Sequence, residues 1–305
     1  MKLFLGVILV ISVLLFITAG VIFMQGCRRR KTPPIPSMSA ARPLFAKEIG
    51  RGRQWFSEQE YESCQITSFD GLTLRAHYLK GEGKTALLLM HGYHADSLYE
   101  FAPQLQFLHE QGFDLLLPDQ RAHGQSDGQY LSFGVFESRD VADWAAWLDG
   151  THQPQNIFLG GISMGGTSVT LASLQPLPDT VRGIIADCPF GNLKNQFRHS
   201  LSRRTGVLAP LFVYLCGIWS RLLAGWHFGS FFPSDLERAT LPLLLLHGTA
   251  DPTVPHTSSE DIAEYYGGKV RRELFEGCAH AYAYIKETER YQQLVLEFIE
   301  CYEKR

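Results

Sequence analysis

Gly161-Ile162-Ser163-Met164-Gly165, with Gly166 just behind it, is the stretch that decides how this chain is read. The apolar run Ile157-Phe158-Leu159 before it reads as a buried strand, and Thr167 to Ala172 after it reads as a helix. A serine on so sharp a strand-to-helix turn has a strained backbone, so the positions two before and two after it must lack bulky side chains. That geometry holds the Ser163 hydroxyl above the sheet and aims the Met164 N–H at the same place. A glycine-rich turn with an incidental serine has the same five-residue pattern, and the rest of the chain must separate the two.

Outward from this turn the pattern alternates. Ser63 to Phe69 and Leu72 to Leu79 flank Asp70-Gly71, a hairpin signal. Ala86 to Met90 is a fully apolar run, as a central parallel strand should be. Ser97 to Gln111 reads as a helix, Phe113 to Pro118 as a strand, and Val135 to Leu148 as a helix. Beyond the turn, Val181 to Ala186 and Leu241 to Leu246 read as strands, Asp261 to Tyr266 as a helix, Arg271 to Phe275 as a strand, and Glu287 to Glu303 as the final helix. Such alternation predicts an α/β fold, a doubly wound and mostly parallel sheet covered on both faces. One segment, about 193–239, breaks it. Its run of Phe212, Tyr214, Trp219, Trp226, Phe228, Phe231 and Phe232 predicts a helical lid over the sheet's carboxyl edge, lining an apolar pocket. Pro210, Arg221 and the basic Arg203-Arg204 argue against a second membrane span there.

At 305 residues the chain can bury one full-sized core. Its net charge of −3 suggests no nucleic-acid partner. The six cysteines form no Cys-x-x-Cys pair and no Cys/His cluster with zinc spacing, so no metal is expected; as free thiols they favour a reducing compartment.

The amino terminus stands apart. From Leu3 to Met24 there is no charged residue, and about 22 residues of helix span roughly 33 Å, enough for a bilayer. A cleaved signal peptide would have a shorter apolar core and a small-residue cleavage site, and Met24-Gln25-Gly26 matches poorly the small residues expected before a lipidated Cys27. Residues 1–27 therefore read as a single-pass transmembrane anchor. Arg28-Arg29-Arg30-Lys31 follows, which by the positive-inside rule puts the main domain on the cytoplasmic side. Residues 28–43 read as a basic, proline-rich spacer. Residues 44–305 read as the globular domain, opened by a helix over Leu44 to Glu60.

From about Ile66 onward the chain resembles the α/β-hydrolases. Within them it is similar to the bacterial membrane-anchored hydrolases related to serine aminopeptidases and monoacylglycerol lipases. Four motifs carry the likeness, in the family's order: Met90-His91-Gly92-Tyr93; Asp119-Gln120-Arg121-Ala122-His123-Gly124-Gln125-Ser126; the Ser163 turn; and His247-Gly248-Thr249-Ala250-Asp251 followed by His280. Ala122 stands where relatives often have glycine. The resemblance implies an α/β-hydrolase fold and a catalytic triad of Ser163, Asp251 and His280. It implies an oxyanion hole from the N–H groups of Tyr93 and Met164, and no cofactor. Asp187, at the end of the preceding strand, is a rival acid, although the Gly248-to-Pro255 loop matches the family better. His91 and His123 read as loop-bracing residues, and His247 and His256 as structural.

The resulting expectation is a serine hydrolase that cleaves a carboxylic ester with an apolar acyl or alcohol part, through an acyl-enzyme intermediate. Phe212, Trp219 and Trp226 of the lid are the expected pocket residues. An aminopeptidase or thioester hydrolase would share the same machinery, but an aminopeptidase needs an acid for the substrate amine, and only Asp235 and Glu237 at the end of the lid are candidates. A non-catalytic binding protein on the same fold would be expected to have lost a triad member.

Overall fold

The structure is a computed structural model that describes residues 1–30 and 43–304. The spacer expected over 28–43 thus lies outside the described residues except at its ends.

Eight strands form one sheet: β1 (Glu62–Thr67), β2 (Thr73–Leu79), β3 (Thr85–Met90), β4 (Asp114–Pro118), β5 (Asn156–Ile162), β6 (Val181–Asp187), β7 (Leu243–Gly248) and β8 (Val270–Phe275). Their order is β1-β2-β4-β3-β5-β6-β7-β8. β1, β2 and β4 pair antiparallel, and every pairing from β4 through β3 to β8 is parallel. The hairpin signal is realised at the β1–β2 turn, where Gly71 takes φ +86°.

Eleven helices accompany the sheet among the described residues. They are α1 (Lys2–Cys27), α2 (Pro43–Ser57), α3 (Ser97–Glu100), α4 (Ala102–Glu110), α5 (Glu137–His152), α6 (Met164–Ala172), α7 (Leu193–Thr205), α8 (Ala209–Ala224), α9 (Thr257–Tyr265), α10 (Ala283–Lys286) and α11 (Thr288–Tyr302). Alternate residues of the central strands feed opposite cores. Leu88, Leu116, Leu159 and Leu245 join one cluster with Trp144 of α5, while Leu87, Leu115, Phe158 and Leu244 join the other with Leu105 of α4 and Phe298 of α11. A strand buried on both faces has no polar side to show, which is why β3 and β4 read as continuous apolar runs.

Two expected single segments are broken, each by an identifiable residue. The helix expected over 97–111 stops at Phe101 and restarts at Ala102, with Pro103 in the new first turn where a missing N–H costs nothing. The segment expected to form a lid begins with a pair of helices, because Gly206 takes φ +54° between α7 and α8. α8 alone is 16 residues, about 24 Å; only the joined segment Leu193–Ala224 is long and apolar enough, by length and composition, to cross a bilayer.

α1 is not a free tether. Residues 2–14 are exposed, but Ala19, Gly20, Phe23 and Cys27 are buried against the lid and the body of the domain. The Trp219 indole N–H donates to Phe16 O at 2.9 Å, and the Cys216 thiol lies 3.4 Å from Ala19 O. Beyond the helix, Leu131 N–H donates to Cys27 O at 3.0 Å and Arg29 N–H to Gln129 O at 2.7 Å. The Arg29 guanidinium donates to Gly124 O at 2.6 Å and also to Ser126 O. Part of the basic run after α1 therefore braces the domain.

Candidate active site

The turn between β5 and α6 holds Ser163 at φ +56°, ψ −117°, a region that costs a non-glycine residue of order 1–3 kcal/mol. A Cβ on Gly161 would run into Gly165 O, and one on Gly165 into Met90 O, so both flanking glycines are sterically required. The Ser163 N–H donates to Asp187 O at 2.8 Å, which ties the turn to the neighbouring strand end. Left-handed backbone recurs around this point at His94 (φ +53°), Cys188 (φ +44°) and Ala281 (φ +58°). Such clustered strain, held by the surrounding fold, is a mark of functional sites.

His280 follows β8, and Asp251 follows β7. Ser163 Oγ lies 2.8 Å from His280 Nε2, and His280 Nδ1 lies 2.6 Å from Asp251 Oδ2. The tautomer is assigned from the partners. An ionised carboxylate only accepts, so Nδ1 carries the hydrogen and Nε2 is left to accept from the serine. The second carboxylate oxygen, Oδ1, accepts from Thr253 N–H at 2.8 Å and Val254 N–H at 2.9 Å. Burial alone would push the Asp251 carboxyl up. Hydrogen bonds from His247 and His280, the His280 charge and the Val254 N–H outweigh it and hold the group well below the usual carboxylate range. Asp251 is thus ionised at any ordinary pH.

Asp187, the rival acid, is placed differently. Its carboxyl is fully buried and accepts from the Tyr291 hydroxyl at 3.2 Å, with no bond to His280. Burial pushes it up to about 6, against the opposing charges of His247 and His280. His247 is a neighbour that sequence reasoning set aside as structural: its Nε2 lies 3.0 Å from Val254 O and 3.4 Å from Asp251 Oδ2. Cys188 was missed altogether. Its thiol is 4.0 Å from His280 Nε2, and burial pushes it far up, so it is a neutral neighbour rather than a second nucleophile.

The Tyr93 and Met164 N–H groups are not engaged with another acceptor among the described residues. The turn that presents Tyr93 is held by imidazoles. His91 Nε2 accepts from Gln120 N–H at 3.0 Å, and His123 Nε2 accepts from His94 N–H at 3.1 Å. Ala122, at φ +60°, keeps the conformation that a glycine would adopt more readily.

Ser163 and Met164 sit in a cavity of about 350 Å³, within the usual range for small-molecule sites. Phe133, Phe190, Phe197, Leu201 and Val254 give it apolar surface; Tyr93, Gln196, Ser200 and Thr253 are polar members. Ile22, Gln25 and Gly26 of α1 complete the lining, with Arg30 and Arg204 also on it. No carboxylate lines the cavity among the described residues. The expected pocket residues lie elsewhere. Phe212 and Trp226 are buried at 6% and 2% exposure, and Trp226 packs on Phe23, Phe133 and Phe228 behind the lining. Trp219 stacks on Phe16 of α1 with ring centroids 4.8 Å apart. Trp219 and Trp226 join α1 to the 193–239 segment, and the lining comes from α1, α7, the Ser163 turn and loops outside that segment. Asp235 is spent on the Phe232 N–H at 2.7 Å and lines a separate surface cavity.

Comparison with known proteins agrees with this fold. A family model described as alpha/beta hydrolase fold matches residues 85–230. The uncharacterised protein YqkD of Bacillus subtilis (strain 168) is 25% identical over 265 residues, covering 84% of this chain and 86% of its own. The mouse serine hydrolase BPHL is 26% identical over 247 residues, covering 73% of this chain and 82% of its own. Among solved structures, the Pyrococcus furiosus esterase Pf2001 superposes with a TM-score of 0.66 at 20% identity, over 81% of this chain and 92% of that one. A thermophilic esterase from Thermogutta terrifontis superposes with a TM-score of 0.58 at 19% identity, over 80% of this chain and 100% of that one. Strand order, the serine turn, the family match and the superpositions agree that the chain has the α/β-hydrolase fold.

Proposed function

We propose that the protein is a membrane-anchored serine hydrolase that cleaves carboxylic esters bearing an apolar chain. The observation that carries this reading is the hydrogen-bonded relay Ser163–His280–Asp251, with spacings of 2.8 and 2.6 Å, opening into the mostly apolar cavity. In this reading Ser163 Oγ attacks the ester carbonyl as His280 Nε2 takes its proton, and Asp251 stabilises the imidazolium. The N–H groups of Tyr93 and Met164 hold the oxyanion. Nε2 then returns the proton to the leaving alcohol, and a water repeats the sequence on the acyl-enzyme. The esterase names of the structural relatives agree with this chemistry.

The lining favours esters over aminoacyl substrates. A free ammonium needs a carboxylate partner, whereas the charged lining residues are Arg30 and Arg204. Thioesters remain chemically compatible with the same relay. A binding-only role is disfavoured, because it would not maintain a strained serine within 2.8 Å of a polarised imidazole. The test is kcat/KM along straight-chain p-nitrophenyl esters. It should rise from acetate to six or eight carbons, by up to about 0.8 kcal/mol per buried methylene, and the rise should be flatter in Phe197→Ala. An optimum at acetate would overturn the apolar-chain reading.

We also propose that α1 spans the bilayer, with the domain on the cytoplasmic side given by Arg28 to Lys31. Within the 26-residue helix, an 18-residue window has a mean hydropathy of 3.0. Full-length protein should stay with membranes through a high-salt wash, since salt screens charges but not apolar burial. Release by salt would overturn the spanning reading.

A further inference from the structure

We infer that the last turns of the anchor helix are part of the substrate site, so that the enzyme measures chain length against its own membrane helix. The inference rests on the esterase reading and deepens it. Ile22, Gln25 and Gly26 belong to the same cavity lining as Ser163. Ile22 is the apolar member of that face, and Phe197 and Leu201 of α7 line the same cavity. The wall is fixed in place along its length. The Gly20 Cα has no side chain to separate it from Trp219, and a Cβ there would lie 2.7 Å from the indole ring. Phe23 is 1% exposed and packs between Tyr130 and Trp226. Past the cavity, the backbone bonds of Cys27 and Arg29 clamp the helix end.

The same face touches the reacting centre. The Tyr93 hydroxyl donates to Gly26 O at 2.7 Å, and Tyr93 is the residue whose N–H is assigned to the oxyanion. The anchor therefore restrains the loop that would stabilise the transition state, besides walling the chain pocket.

Helix length sets where this wall sits. Residues 2–14, the fully exposed part of α1, cover about 20 Å, against a hydrocarbon thickness of about 30 Å. A spanning α1 thus carries its packed turns into the near leaflet, and Ile22 comes to lie about 30 Å along the helix from Lys2, where acyl chains meet headgroups. The lid helix beside it turns Leu211, Tyr214 and Leu222 outward, at 38%, 69% and 65% exposure. The substrate class this fits is an amphiphilic ester resident in the membrane, its chain held along the anchor and its carbonyl at Ser163.

The deciding experiment uses full-length enzyme in detergent micelles and reads the ratio of kcat/KM for p-nitrophenyl octanoate to that for the acetate. Ile22→Trp fills the wall position and should lower the ratio at least about tenfold. Val21→Trp makes the same change on the adjacent, 49% exposed face and should leave the ratio at the wild-type value. Gly20→Leu, which wedges helix from lid, should lower the ratio as well. Active Ile22→Trp and Gly20→Leu enzymes with the wild-type ratio would make α1 a tether only and overturn the inference alone. An equal fall in Val21→Trp would overturn it too, because the effect would not belong to the cavity face. Wild-type enzyme inert on every ester would overturn the esterase reading and this inference together.

Discussion

Ser163→Ala is expected to lower kcat on any accepted ester by about 10⁴- to 10⁶-fold and to abolish labelling by a fluorophosphonate probe, with the far-UV spectrum and melting temperature little changed. The physical reason is that, in the proposed mechanism, the relay activates one oxygen. With Oγ gone, His280 Nε2 has no proton to take, and the neighbouring Cys188 thiol, buried and held neutral, is no substitute. The mutation also removes only one small polar atom at a half-buried position, so little packing is lost. Labelling that persists in Ser163→Ala would mean that another residue is the nucleophile.

Asp251→Asn should cost about 10⁴-fold in kcat, because an amide presents a donor as well as an acceptor and permits the wrong imidazole tautomer. Asp187→Asn should cost less than about tenfold, since Asp187 makes no bond to His280. The two carboxyls should also differ in their effect on stability. Asp187 has its native value raised from 3.8 to about 6 by burial, so the native state binds a proton more tightly than the unfolded chain. Its contribution is therefore neutral below about pH 4 and becomes a penalty as pH rises through about 6, worth up to about 3 kcal/mol. Asp187→Asn should accordingly raise the melting temperature at pH 8 and change it little at pH 4. Asp251, held low, stabilises the fold above its unfolded value of about 4 and loses that contribution only as pH falls below it. Melting curves and kcat for both variants at pH 4 and pH 8 decide the matter. A larger kcat loss in Asp187→Asn than in Asp251→Asn would reverse the assignment of the acid.

The legibility of this protein divides along the range of the interactions. The parallel sheet could be read because a strand covered on both faces is largely apolar, as Ala86–Met90 of β3 and Leu243–Leu246 of β7 are, and strands alternating with amphipathic helices leave few topologies. The serine turn could be read because its constraint is local: Gly161 and Gly165 are forced by carbonyl oxygens that any chain making that turn would meet. The interruption at Phe101 and the division of the lid at Gly206 were also written locally, in Pro103 and in a glycine at positive φ, but helical periodicity on both sides masked them.

The pocket was not legible, for a reason that applies to any apolar segment. An aromatic ring gains similar free energy from a ligand, from a lipid or from a neighbouring helix. The sequence therefore marks Phe212, Trp219 and Trp226 as rings that must be covered without saying by what. Folding covered Trp219 and Trp226 with Phe16 and Phe23 of α1 and buried Phe212 in the core, and the cavity fell to Phe133, Phe190 and Phe197.

Helix α1 shows the same division most plainly. By itself the sequence determined that residues 3–24 form an apolar helix long enough for a bilayer, that the following domain is a doubly wound α/β sheet, and that a serine stands at its sharpest turn. Only the tertiary structure decided that the end of the helix folds back onto the lid, that Gly26 O meets the Tyr93 hydroxyl, and that Asp251 rather than Asp187 meets His280. Periodicity and turn chemistry are properties of neighbours in the chain. Which apolar face meets which, and which of two carboxylates reaches an imidazole, depend on contacts between residues tens to hundreds of positions apart, and only packing brings those together.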